Sequence, residues 1–227
     1  MNKNFAKWLG DDRVIAIVRN PSADSACETA RALIAGGIRL LEFSMTTEAA
    51  LESLERTAHE FRGKALVGAG TVLTLDDATQ AVDAGAAFLV SPVLLPELLE
   101  WSKARELPAI PGAMTPNEVW HAHEAGAEYI KIFPAGALGP QYIRDLLGPL
   151  PALQLVPTGG VDLTNSLDYL RAGARAVALS TALTAPTTSA GLSRRATDLL
   201  AQLRAVGGAP ARVGLSDLRC KSCCPFC

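Results

Sequence analysis

The chain is predicted to be α/β, a (β/α)8 TIM barrel with a short N-terminal helix, and three observations predict this. Eight short apolar runs alternate with helical patterns along 227 residues, a length that such barrels fill as one domain. Four helical patterns end alike, at Ala35-Gly36-Gly37, Ala84-Gly85-Ala86, Ala125-Gly126-Ala127 and Ala172-Gly173-Ala174, each feeding an apolar run. The composition is 49% hydrophobic but only 5% aromatic, which suits a core of Ala, Val, Leu and Ile built from many small helix–strand contacts. An open doubly wound sheet also alternates its elements, but seldom with eight strands at such even, short spacing.

Asn2 to Leu9 can form a short amphipathic helix. Val14 to Val18 is a continuous apolar run ending in Arg19, as a parallel strand buried on both faces reads. Asn20-Pro21-Ser22 opens a helix through Ile34, which Gly36-Gly37 closes. Strands follow near 38–43, 65–70, 87–91, 108–111, 128–133, 153–158 and 175–180, with helices between them and a last helix near 189–206. The barrel is thus expected as a single domain over 1–206, with 207–227 a C-terminal Cys-rich tail. That tail holds four of the five cysteines, as two abutting Cys-x-x-Cys units between Cys220 and Cys227. Four thiolates could bind zinc, but eight residues leave little chain to wrap a tetrahedral ion. A disordered or redox-labile tail is expected.

The formal net charge is −2 and no dense Lys/Arg run occurs, which argues against nucleic acid or an anionic membrane as a partner. A small-molecule site is expected. No apolar run reaches the roughly 20 residues of a membrane span. The first ten residues lack the apolar core of a signal peptide, so a cytoplasmic chain is expected.

In such barrels the active site lies where strands end. Those positions hold Arg19, Glu42, Gly68 to Thr71, Ser91-Pro92, Lys131, Phe133, Thr158-Gly159-Gly160 and Ser180-Thr181. Side chains alternate along a strand, so Lys131 and Phe133 share a face opposite Ile130 and Ile132. By the same alternation Leu40, Glu42 and Ser44 face one way, Leu41 and Phe43 the other. A lysine in an apolar interior is driven toward its neutral amine, a nucleophile. Glu42 beside it is expected in contact or through a shared water, and can move protons if burial beside Phe43 and Met45 raises its pKa. The plainer alternative is a buried salt bridge that only fixes strand packing. His121 and His123 are two apart on a helix and cannot share a metal, and His59 stands alone. Gly68-Ala69-Gly70 matches neither a dinucleotide fingerprint nor a P-loop, and reads as a strand-end turn that lets backbone approach substrate. No metal and no cofactor are expected.

Five motifs together carry a family resemblance. They are Gly36-Gly37-Ile38 leading to Leu41-Glu42; Gly68-Ala69-Gly70-Thr71-Val72; Ser91-Pro92 with Ile110-Pro111-Gly112-Ala113-Met114-Thr115-Pro116; Lys131-Ile132-Phe133-Pro134-Ala135; and Pro157-Thr158-Gly159-Gly160-Val161. Over roughly residues 5–206 the chain resembles the class I aldolases for 2-keto-3-deoxy-6-phosphogluconate (KDPG) and 4-hydroxy-2-oxoglutarate (KHG). The resemblance implies a lyase that splits a 2-keto-3-deoxy sugar acid into pyruvate and an aldehyde, and a homotrimer of barrels. It implies Lys131 as the Schiff-base lysine and Glu42 as the acid/base. Thr71 and Pro92 would line the pyruvyl site, Phe133 would pack beside it, and Gly159 and Gly160 would lie near a phosphate.

The first-choice substrate is 2-dehydro-3-deoxy-6-phosphogluconate. The phosphogalactonate isomer and 4-hydroxy-2-oxoglutarate are alternatives, and a non-aldolase phosphate-binding barrel or a non-catalytic binder stand behind them. Thr46 takes a position where gluconate enzymes often carry arginine. Arg19 is the natural substitute for gripping a carboxylate, or is merely a solvated strand end. Ala178-Leu179-Ser180-Thr181 replaces a glycine-rich turn, leaving Thr158, Gly159, Gly160 and the Thr181 hydroxyl for the distal anion. Val93 follows Ser91-Pro92 where glycine is usual.

Overall fold

The computed structural model describes residues 3–206; the cysteine-rich tail lies outside them. Nine short strands, all parallel to their neighbours, alternate with ten helices among these residues. The strands are β1 (Val14–Val18), β2 (Leu40–Ser44), β3 (Leu66–Gly70), β4 (Leu89–Val90), β5 (Ala109–Ile110), β6 (Gly112–Ala113), β7 (Ile130–Ile132), β8 (Leu155–Pro157) and β9 (Val177–Leu179). The helices are α1 (Lys3–Asp12), α2 (Ala23–Ala35), α3 (Ala50–Glu60), α4 (Leu75–Asp83), α5 (Pro96–Lys103), α6 (Pro116–Glu124), α7 (Gly139–Leu147), α8 (Ser166–Arg171), α9 (Thr181–Thr184) and α10 (Ser189–Ala205).

The strands form a six-stranded sheet, ordered β5-β4-β3-β2-β1-β9, and a three-stranded sheet, β6-β7-β8. The expected fifth strand near 108–111 is therefore two pieces. Pro111 between them has no N–H to donate, so the chain changes neighbour there. Ile110 pairs with Val90 on β4, whereas Gly112 pairs with Lys131 on β7, whose N–H also bonds the Pro111 carbonyl at 2.9 Å. At the other seam a single bridge, Thr158 with Ala178, joins the end of β8 to β9.

Both sheets curl around one interior. Ile15, Ile17, Leu40, Phe88, Val90, Ile110, Tyr129, Val156, Ala176 and Ala178 form an inner apolar cluster, while Val14, Ala16, Val18, Leu41, Phe43, Ile130, Ile132, Leu155, Val177 and Leu179 belong to the larger cluster shared with the helices. Period-two alternation thus holds in strands that are buried on both faces. Phe5 and Leu9 of α1 complete the inner cluster at the end where the strands begin, so the N-terminal helix is a plug. Asp12, fully buried, fixes that end by accepting from Arg39 Nε at 2.8 Å, Arg39 Nη2 at 2.7 Å and Arg204 Nη2 at 2.7 Å.

The recurring Ala-Gly helix ends have one physical cause. Gly37, Gly85, Gly126 and Gly173 all have φ between +92° and +107°, the region where only glycine turns a chain out of a helix without strain. Ser22 caps α2 as expected, its Oγ accepting from the Ser25 N–H. The last helix also falls where the sequence puts it. The second strand begins two residues later than expected, at Leu40, with Glu42 still at its centre.

Candidate active site

Lys131 is the middle residue of β7 and Glu42 the middle residue of β2; both face the interior, with 3% and 1% of their surface exposed. Burial is the first cause of both shifts. It pushes the Lys131 ammonium below its ordinary range, with the Glu42 charge opposing and Arg19 reinforcing. It pushes Glu42 above the ordinary carboxylate range, against the pull of Lys131 and Arg19. Each group is driven toward its neutral form.

Of the two arrangements expected for this pair, contact or a shared water, direct contact is not the one formed: Lys131 and Glu42 make no ion pair, and Glu42 Oε1 is buried without a hydrogen-bond partner. Nor do Phe43 and Met45 desolvate the carboxylate, since both pack in the outer cluster on the opposite face. What encloses Glu42 is the interior that the two sheets curl around, above all β3. A Cβ on Gly70 would lie 1.8 Å from Glu42 Oε1, and one on Gly68 would lie 2.6 Å from the Phe88 ring. These glycines lie within β3, not in a turn. They empty its inner face so that a core phenylalanine and the carboxylate can occupy it.

Phe133 continues the Lys131 face, with Nζ 5.2 Å from its ring centroid. It opens onto a cavity of about 310 Å³ that also contains Arg19, Thr158, Gly159, Gly160 and Thr181. Six of the residues expected at the site therefore meet in one cavity at the strand ends. Gly159 and Gly160 have φ of +78° and +79°, and a Cβ on either would strike Phe133 or Gly136, so the glycine pair is required by space as well as by conformation. Thr158 Oγ1 is already committed, donating to the Val156 carbonyl at 3.1 Å. Among the residues facing this cavity, Ser180 Oγ is buried without a partner.

Thr71 and Pro92 do not line that cavity. Thr71 follows β3 and is hydrogen-bonded through Oγ1 to Ser44 Oγ at 3.2 Å, while Pro92 packs its backbone where a Gly112 Cβ would fall. Thr71 has φ of +62°, a conformation costing a β-branched residue on the order of 1–3 kcal/mol. The sequence reading placed Gly70 and Ser180 at strand ends and Ser44 on the Glu42 face without giving either serine a role, and it did not single out Asp162. Ser44 was legible as an inward position two after Glu42. Asp162 has a local signal, since its Oδ1 accepts from the Thr164 N–H, Thr164 Oγ1 and the Asn165 N–H, which holds its carboxyl below the usual range.

Among the described residues no cluster of His, Cys, Asp and Glu is placed to hold a metal ion, and no helix is long and apolar enough to cross a membrane. The arrangement offers a desolvated amine, a proton carrier that does not touch it, an arginine at the rim and a glycine-lined recess beyond.

Residues 6–190 match the family model described as KDPG and KHG aldolase. The 2-dehydro-3-deoxy-phosphogluconate aldolase of Treponema pallidum is 40% identical over 159 residues, covering 70% of this chain and 75% of that protein. The probable 2-dehydro-3-deoxy-6-phosphogalactonate aldolase of Rhizobium meliloti is 34% identical over 197 residues, 86% of this chain and 93% of that one. The KDPG aldolase of Legionella pneumophila, solved with pyruvate captured as a covalent carbinolamine, superposes with a TM-score of 0.74 at 29% identity, covering 89% of this chain and 98% of that one.

Proposed function

The chain belongs to the KDPG and KHG aldolase family, and from that premise we propose that it is a class I aldolase cleaving a 6-phosphorylated 2-keto-3-deoxy sugar acid to pyruvate and glyceraldehyde 3-phosphate. The observation that carries the reading is the buried, separated pair of Lys131 and Glu42, each driven toward its neutral form.

That charge state balances the first step. The neutral Lys131 amine attacks the C2 ketone, and the Glu42 carboxyl gives its proton to the departing oxygen. Ketone, amine and carboxylic acid become a protonated imine, a carboxylate and one water. Opposite charges are thereby created only once substrate is bound. The Glu42 carboxylate then takes the proton of the C4 hydroxyl, the C3–C4 bond breaks, and its electrons move onto the imine nitrogen, giving an enamine and the free aldehyde. Glu42 returns the proton to C3, and water releases pyruvate and the amine.

In this reading Arg19 pairs with the substrate carboxylate in the place of the arginine that Thr46 replaces. Thr71 and Pro92 line the pyruvyl end, and Phe133 packs against it. Thr158, Gly159, Gly160 and Thr181 form the recess for the distal phosphate. The two sheets act as one (β/α)8 barrel over residues 1–206, continuous across Pro111 and closed at Thr158 and Ala178. The site needs no cofactor or metal. A homotrimer fits the exposed Leu73, Val93 and Met114, which follow β3, β4 and β6, and Leu75 at the start of α4, all of which would be covered by a second copy. Light scattering on the purified chain tests that assembly.

The phosphogalactonate isomer is a second reading favoured by a specific observation. Of the two curated relatives compared, the galactonate enzyme aligns over the greater length, 93% against 75%, and Arg19 replaces the missing arginine. A retro-aldol panel of phosphorylated and unphosphorylated gluconate and galactonate keto-deoxy acids separates the readings. Cleavage of only unphosphorylated acids would refute the phosphate recess, and cleavage of none would refute the aldolase.

A further inference from the structure

Ser44 is fully buried, shares the inner face of β2 with Glu42, and stands between two other hydroxyls. Its Oγ lies 2.9 Å from Thr46 Oγ1 and 3.2 Å from Thr71 Oγ1. We propose that Ser44 is a positioning residue, the centre of a hydroxyl chain Thr46→Ser44→Thr71 that aims the Thr71 hydrogen at the substrate carboxylate. The inference rests on the aldolase reading above, in which Thr71 meets the pyruvyl end.

Two observations independent of that reading lead here. The first is the backbone of Thr71, whose φ of +62° glycine would adopt freely and threonine adopts only against steric cost. A threonine persists there for its side chain, and the hydrogen-bond partner of that side chain is Ser44. The second is the hydrogen count. A hydroxyl donates once and accepts up to twice, so Ser44, bonded to both neighbours, cannot donate to both: it donates to one and accepts from the other, or accepts from both.

Only one of these arrangements serves an anion. Whenever Thr71 donates to Ser44, whether Ser44 donates on to Thr46 or accepts from it too, the Thr71 hydrogen is spent inside the protein. If Thr46 donates to Ser44 and Ser44 to Thr71, that hydrogen is free for a carboxylate oxygen, and each donated bond strengthens the next. A bound carboxylate selects this last arrangement. Thr46, exposed at the outer end, can accept from water while its own hydrogen enters the chain. This position thus supplies a line of dipoles where many gluconate enzymes carry a charge.

The test measures steady-state cleavage of the keto-deoxy acid by the full chain and three variants. Ser44→Ala is expected to raise KM about fivefold to tenfold, with a smaller change in kcat, because binding common to ground and transition states is what it loses. Thr71→Val is expected to raise KM by at least as much, and Ser44→Ala/Thr71→Val no further, since Ser44 acts through Thr71. Unchanged KM in Ser44→Ala, or losses that multiply in the double variant, would overturn the proposal. If Ser44→Ala does not fold, Thr46→Val at the exposed end reads the same chain, with a smaller rise in KM expected and no rise counting against it. Pyruvate and borohydride on the unmodified chain test the parent reading separately. No adduct at Lys131 removes the aldolase and this inference together, whereas an adduct alongside unchanged KM in the variants removes only the hydroxyl chain.

Discussion

Replacing Gly70 with alanine puts a methyl carbon into the space of the Glu42 carboxylate, 1.8 Å from Oε1, 2.3 Å from Cδ and 2.6 Å from Cγ. Ordinary contact starts near 3.4 Å, so Oε1 must retreat by about 1.6 Å. The backbone itself accepts alanine, because Gly70 is a strand residue without a positive φ. The damage therefore passes through Glu42. A misplacement of about 1 Å in a reacting group costs on the order of 100-fold in rate, or about 2.7 kcal/mol of transition-state stabilisation. Gly70→Ala is accordingly expected to lower kcat about 100-fold while the far-ultraviolet spectrum and oligomeric state stay unchanged. Glu42→Gln should lower kcat comparably, and Glu42→Gln/Gly70→Ala should be little worse than Glu42→Gln alone. Wild-type turnover in Gly70→Ala, or independent losses in the double variant, would refute the placement of Glu42 as the proton carrier.

Two further outcomes follow from the buried charges. Glu42 keeps its proton above its ordinary value of 4.5, so between that pH and its raised value the folded state binds more protons than the unfolded one, and stability falls as pH rises. Glutamine does not titrate, so the Tm of Glu42→Gln should gain on the wild type as pH rises from 4.5; parallel curves from pH 4 to 8 would contradict the shift. Asp12→Ala removes the buried carboxylate to which Arg39 and Arg204 donate at the end where the strands begin, and should cost about 3 kcal/mol in denaturant unfolding with kcat of the folded fraction unchanged.

How far the sequence could be read depended on whether a feature is local. The Ala-Gly helix ends are local, and the four positive-φ glycines appear where that repeat sits. The inward direction of Lys131 and Glu42 follows from alternation within single strands, which needs no knowledge of the neighbours. What failed was between strands. Nothing local says that Pro111 would divide a strand between two sheets, because its effect depends on which neighbour would have received its N–H. Whether Lys131 and Glu42 touch or stand apart was likewise illegible, since opposite charges on inward positions suit contact and a shared water equally. Only the distance across the interior decides. Gly68 and Gly70 looked like a turn because two glycines usually mark one; in fact each complements a large side chain from a neighbouring segment, Phe88 just before β4 and Glu42 on β2. The cysteine-rich tail lies outside the described residues.

The central claim is that Lys131 is an amine poised to form an imine, and trapping tests it most directly. The purified chain would be incubated with pyruvate, reduced with borohydride, digested and mapped by mass spectrometry. The account predicts one reduced pyruvyl group, on the peptide carrying Lys131, lost in Lys131→Met and still formed in Glu42→Gln at a lower rate. A folded chain that takes up no pyruvyl group, or takes it up on another lysine, would contradict it.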